Sequence, residues 1–200
     1  MNLDILVNKD NRLSKDFYPD SLIEIKSLIP GSIDKNRKIF INQEAYKDFL
    51  EMKKNAFKEG LDINIASAYR SYLYQIKVFK HYLNSIGEEK TLKRVALPGS
   101  SDHQTGLAID YFSFRKNSDG SIYPYTDIKE EDTEYKWIKN NSYKYGFIIR
   151  FPKGKEKITK VMFEPWHIRY VGKDISGIIY YNNLTLEEYH QKVKIKTIQK

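Results

Sequence analysis

The run Leu107 to Phe112 constrains this chain most, because it alternates as a strand and yet carries an ionisable group on one face. Successive strand side chains point to opposite faces, so Leu107, Ile109 and Tyr111 share one side and Ala108, Asp110 and Phe112 the other. The carboxylate of Asp110 therefore opposes the core face, with small Ala108 beside it. Just upstream, Pro98-Gly99-Ser100-Ser101 is turn chemistry that closes a loop expected from Lys90 to Ser101, and His103 sits just past it.

Other stretches punctuate the chain. Asn42 to Gly60 is expected to be a helix, with Asn42 capping its start and Tyr46, Phe49, Leu50 and Phe57 on its apolar side. Ile63 to Ser67 reads as a short strand that delivers Tyr69-Arg70-Ser71 into a second helix ending at Gly87, with Leu73, Ile76, Phe79 and Leu83 at helical spacing. A third helix is expected from Thr133 to Tyr145, with Trp137 and Ile138 inward and Gly146 as its stop. The apolar strand Phe147 to Phe151 follows, then a charged loop from Pro152 to Lys160. Trp166, Ile168 and Tyr170 alternate with His167 and Arg169 as another strand. Thr185 and Glu188 form a capping box, with Leu184 and Tyr189 as its staple, so Thr185 to about Val193 is expected to be helical.

Two hundred residues with 40% hydrophobic content suit one domain, expected to span 1–200 with a basic, disordered tail from about 194. With no cysteine, a disulfide framework, a thiol nucleophile and a cysteine-bound zinc are excluded, so any metal site must use His and carboxylate ligands. The net charge of +8 favours acidic partners without choosing among nucleic acid, membrane and wall polymer. No run approaches the roughly 20 apolar residues of a membrane span, and the start lacks an export signal. The chain as written therefore reads as cytoplasmic, and a removed N-terminal anchor would instead place it at the cell envelope.

Chemistry concentrates in Ser101-x-His103-x-x-Gly106-x-Ala108-x-Asp110 and in Glu164-Pro165-Trp166-His167. Two imidazoles and a carboxylate (His103, Asp110 and His167) suit a catalytic zinc, which needs three protein ligands and an open position. Pro165 breaks helical geometry, so Glu164 and His167 can face one point from a bend. Glu164 is the candidate proton shuttle. Arg70, with Gln75 and Ser101, is the candidate carboxylate anchor, because guanidinium binds carboxylate with a two-point fork. Pattern alone leaves the alternatives open: His103 and His167 as ordinary polar residues, Trp166 as a core aromatic, Arg70 as a surface ion-pair partner. His81 and His190 read as ordinary helix histidines.

These residues resemble the D-alanyl-D-alanine carboxypeptidase family that includes the VanY and VanXY vancomycin-resistance enzymes. The signature SxHxxGxAxD spans Ser101 to Asp110, ExWH spans Glu164 to His167, and Tyr69-Arg70-Ser71 with Gln75 completes the set. The resemblance implies an α+β fold of the type shared with hedgehog proteins, helices packed on a small antiparallel sheet with one zinc in a cleft at its edge. It implies His103, Asp110 and His167 as metal ligands, Glu164 as the base assisted by Arg70, and Arg70, Gln75, Ser101 and Trp166 at the substrate. Ala68 stands where relatives often carry Gly, which would strain a positive φ.

The implied reaction is removal of a terminal D-Ala from peptidoglycan stem peptides or precursors by a monomer that binds no nucleic acid. D,D- and L,D-specificity and D-Ala-D-Ala dipeptidase activity all stay open. The alternatives are an endopeptidase of the phage-lysin kind and a non-catalytic wall-binding module.

Overall fold

The computed structural model describes residues 2–29 and 38–198, with 193–198 as backbone. Strands β1 (Leu22–Ile25) and β2 (Ile39–Asn42) pair antiparallel as a separate ribbon that the sequence pattern does not announce. Asn42 then starts helix α1 (Gln43–Lys58), its Oδ1 accepting from the N–H groups of Glu44 and Ala45 at 3.0 and 3.1 Å. That satisfies two donors the helix cannot. The buried stripe of α1 is Ala45, Phe49, Met52 and Ala56, whereas Leu50 is 45% and Phe57 64% exposed. Bulk misled the expectation: two alanines let the helix approach the sheet closely, and the larger residues beside them face water.

The main sheet has the order β3 (Asp62–Ser67), β4 (Ala108–Lys116), β7 (His167–Tyr170), β6 (Phe147–Ile149), all antiparallel. Strand β5 (Ile122–Tyr125) pairs with the far half of β4 through the turn expected at Asp119-Gly120. Leu107, Ile109 and Tyr111 are buried against Ile168, Tyr170 and the α1 stripe, so the predicted core face is the observed one.

Helix α2 (Tyr72–Ile86) buries only Gln75 and Val78, Leu73 is 70% exposed, and the next helix, α3 (Glu88–Arg94), adjoins it. The stretch expected as loop thus contains a helix. It lacks an apolar period and is held by acids in its first turn, bases in its last and a Glu89–Lys93 pair at 2.7 Å. Helix α4 (Thr133–Asn141) buries Trp137 and Ile138 as expected and runs into a 3-10 turn, Ser142–Tyr145. A short helix α5 (Glu156–Thr159) interrupts the charged loop, and α6 (Lys173–Tyr181) was not anticipated. The capping box of α7 (Leu186–Ile198) is formed: Glu188 N–H donates to Thr185 Oγ1 at 3.1 Å, and Thr185 N–H to Glu188 at 2.7 Å. Side chains of the basic tail expected from about 194 lie outside the described residues.

Gly106 connects the loop to β4. It adopts φ +73°, and a Cβ there would lie 2.7 Å from the Leu22 side chain. A left-handed non-glycine residue costs about 1–2 kcal/mol. Gly106→Ala is therefore expected to lower Tm by roughly 2–8 °C in a chain of this size. An unchanged thermal melt would show that the turn relaxes freely.

Candidate active site

Antiparallel register brings the site together. Asp110 on β4 is the Cα partner of His167 on β7 and, on its other side, of Ser67 on β3. Their side chains share the face away from α1, and a 3-10 turn (Asp102–Thr105) brings His103 to the same spot. Donor atoms of His103, Asp110 and His167 all lie within 4.8 Å of one another, the one such His/Asp/Glu group among the described residues. Asp110 and His167 sit on inner strands and His103 on the 3-10 turn, so the group is not at the sheet's edge as expected, because β3 and β7 flank Asp110.

Each histidine has an inward and an outward nitrogen. His103 Nδ1 lies 2.6 Å from the Ala68 carbonyl and Nε2 lies 3.2 Å from Asp110 Oδ1. His167 Nδ1 lies 3.0 Å from the same oxygen. A register shift between Ile65 and Ser67 aims the end of β3 toward His103. Ala68 is absent from the positive-φ residues, so the strain considered for it does not arise.

Burial and then the charge of Arg70 lower the His103 pKa, which keeps its lone pair available at neutral pH. Burial also disfavours charge on His167, but Asp102 and Asp110 outweigh it and hold its pKa at about 10. Burial raises Asp110, yet His103 and Arg70 keep it well below the usual carboxylate range. A cation arriving at this group competes with the His167 proton, so its binding is pH-dependent. Two imidazole nitrogens, a carboxylate oxygen and an outward histidine nitrogen anchored on a carbonyl are a donor set that fits zinc.

Glu164 and His167 lie on one turn: His167 N–H donates to the Glu164 carbonyl at 3.3 Å across Pro165 and Trp166. Glu164 Oε2 sits 3.6 Å from His167 Nδ1. Burial pushes its carboxyl up to about 7, against the pull of His167 and with the push of Asp110.

The group opens into a cleft of about 500 Å³ lined by Arg70, Gln75, Ser101, Glu164 and Trp166, among others. Arg70 faces inward: Nε donates to Ser67 Oγ at 3.1 Å, while Nη2 contacts Asp110 and lies 2.9 Å from His103 Nε2. Gln75 Nε2 donates to the Ala96 carbonyl at 2.8 Å, leaving Oε1 buried without a partner among the described residues. Ser101 is buried at the head of the 3-10 turn. Trp166 is both a cleft wall and a neighbour of the main core. His81 and His190 lie away from the group, His190 Nε2 being 2.6 Å from the Asp4 carbonyl.

Sequence reasoning missed Asp102, Arg150 and Arg169, all buried behind His167. The signal for Asp102 was an acid inside the first signature, at a position that pattern matching skips. Arg150 lay concealed at the end of what reads as an apolar strand, where β6 stops at Ile149.

A sequence profile of the VanY D-alanyl-D-alanine carboxypeptidase family matches residues 38–173. The chain belongs to this family. The VanY-type chain is 35% identical over 191 residues to VanXYC of Enterococcus gallinarum, a bifunctional D-Ala-D-Ala dipeptidase and D-Ala-D-Ala carboxypeptidase, covering 95% of this chain and 94% of that one. Among solved structures, the LdcB LD-carboxypeptidase superposes with TM-score 0.75 at 40% identity, covering 94% of this chain and 85% of the other. A VanY D,D-pentapeptidase in complex with Zn(II) superposes with TM-score 0.74 at 28% identity, covering 94% and 99%. The α+β fold, the carboxypeptidase class and the zinc dependence of the VanY family thus agree with the donor set seen here. No helix among the described residues is long and apolar enough to cross a membrane.

Proposed function

We propose that this VanY-type chain removes the terminal D-Ala from peptidoglycan stem peptides or their precursors, with His103, Asp110 and His167 holding one zinc ion. The observation that carries the reading is the convergence of those three donors beside a buried carboxyl, Glu164, at the base of an open cleft. Zinc held there supplies a Lewis acid that polarises a carbonyl and acidifies water. Glu164 accepts the proton of the attacking water and returns it to the departing D-Ala amine. Its raised affinity for a proton, caused by burial, suits both halves of that transfer. The site is complete within one chain, which supports action as a monomer.

Arg70 anchors the substrate's terminal carboxylate in this reading, with Gln75 and Ser101 beside it and Trp166 as a wall. Its fork now turns toward Asp110. With its charge shared with a metal, Asp110 would hold the Arg70 guanidinium less strongly, leaving the fork for the substrate carboxylate. Gln75 Oε1, buried and unpaired among the described residues, has hydrogen-bonding capacity left over. Arg70→Ala is expected to lower kcat/KM by roughly 10- to 150-fold on peptides with a free C-terminus, the loss of a charge-assisted pair worth about 1.5–3 kcal/mol. Amidated peptides should suffer much less, and an equal loss on both would remove the anchoring role.

Defined tri-, tetra- and pentapeptide stems and the D-Ala-D-Ala dipeptide, incubated with the zinc-loaded chain and weighed by mass spectrometry, test the reaction. Loss of one D-Ala from a peptide end supports it, and the stem that reacts decides between D,D- and L,D-specificity. Internal cleavage alone would identify an endopeptidase, and no cleavage a binding module.

A further inference from the structure

Asp102 is 3% exposed and stands outside the ligand group, between Ser101 and His103 in the 3-10 turn. Its Oδ1 lies 3.2 Å from His167 Nε2, within ion-pair reach but off the hydrogen-bonding line. The opposite nitrogen of that ring, Nδ1, faces Asp110 at 3.0 Å and Glu164 at 3.6 Å. The two nitrogens of an imidazole diverge, so a ring that offers Nδ1 to a metal must carry its proton on Nε2. That nitrogen is buried and makes no hydrogen bond among the described residues, Asp102 being its ion-pair neighbour.

Two buried cations hold Asp102 in place. Arg150 Nε lies 3.5 Å and Arg169 Nη1 3.9 Å from its Oδ2, and both arginines are fully buried. Arg169 is itself fixed by the carbonyls of Leu3 and Ile5, at 3.0 and 3.1 Å. Arg150 is fixed by a two-point pair with Glu187 at 2.9 and 2.7 Å. His103 has a parallel arrangement, its outward Nδ1 lying 2.6 Å from the Ala68 carbonyl.

We infer that Asp102 is a positioning residue that accepts the Nε2–H of His167, fixing the ring orientation and tautomer that leave Nδ1 free for zinc. The inference rests on the zinc reading above. A carboxylate behind a ligating imidazole makes the ring a stronger donor, and removing such a partner weakens metal affinity typically 10- to 100-fold. The carbonyl behind His103 carries no full charge, so the two histidines are supported unequally.

The test measures zinc affinity of the metal-stripped full chain and of its Asp102→Asn variant by competition with a chromophoric chelator, alongside thermal melts. It also records histidine 15N spectra of the zinc-loaded wild type. Expected are a 10- to 100-fold weaker zinc affinity in the folded variant and, in the wild type, a His167 ring protonated at Nε2 and metal-bound through Nδ1. Affinity within about twofold of wild type in a folded variant would overturn the inference, as would a His167 proton found on Nδ1. If Asp102→Asn does not fold, the wild-type spectrum decides alone. A wild-type chain that takes up no zinc overturns the zinc reading itself, and this inference with it.

Discussion

Glu164→Ala is expected to lower kcat by roughly 10²- to 10⁴-fold, the usual contribution of a positioned acid–base group, with zinc still bound. Glu164 is not among the three converging donors, and its Oε2 lies 3.6 Å from His167 Nδ1. The zinc content of the purified variant, measured beside its turnover of a stem peptide, separates loss of chemistry from loss of metal. Glu164→Gln keeps the size and polarity of the side chain but cannot take a proton, so it should be nearly as slow. Full turnover in either variant would end the assignment of Glu164 as the proton shuttle. Loss of zinc in both would make it a structural support of the metal instead.

The second large effect is on stability. Glu187 on α7 meets the fully buried Arg150 in a two-point pair and accepts from Asn8 Nδ2 at 3.2 Å. Glu187→Ala leaves a buried guanidinium short of its closest counter-charge, at a cost of about 3–5 kcal/mol. At about 2–4 °C per kcal/mol, Tm should fall by roughly 6–20 °C. A paired Arg150→Met, Glu187→Leu variant should lose less, because both charges of the pair go together and Asp102 keeps Arg169 and His167. Equal losses in the two variants would indicate damaged packing rather than an uncompensated cation.

The same pair predicts a pH dependence of definite sign. Burial raises the Glu187 pKa, but Arg150 outweighs it and holds the carboxyl below its ordinary value of 4.5. The unfolded chain therefore binds a proton more readily than the folded one. The resulting stability is complete above the unfolded pKa and is lost as pH falls through the folded one. Wild-type Tm should thus decline below about pH 4.5, and the Glu187→Ala variant should show a shallower decline over that window. Parallel slopes would remove Glu187 from the acid response.

Much of the site is legible in the amino-acid sequence. His103, Asp110, Glu164 and His167 lie in two short runs whose residue types suit a metal and a proton shuttle, and the strand period alone turns Asp110 away from the core. The capping box at Thr185 and the Asn42 cap are legible for the same reason: each is a contact between residues two or three apart. Helix α3 is not, because charge and dipole hold it rather than an apolar stripe. On α1 Phe49 and Tyr46 face the core as expected, whereas Leu50 and Phe57 face water, because the hydrophobicity of single residues says nothing about which side a sheet will cover.

Composition alone excludes thiol chemistry, and near neighbours along the chain set the caps, the turns and the two runs whose residue types suit a metal. That Asp110 and His167 stand opposite each other follows from folding, since strand register is a long-range property set by the whole buried face. Only the tertiary structure reveals the charged layer behind His167, where Asp102, Arg150, Arg169 and Glu187 come from four separate parts of the chain. Buried charges survive only in company, and that company is assembled by folding.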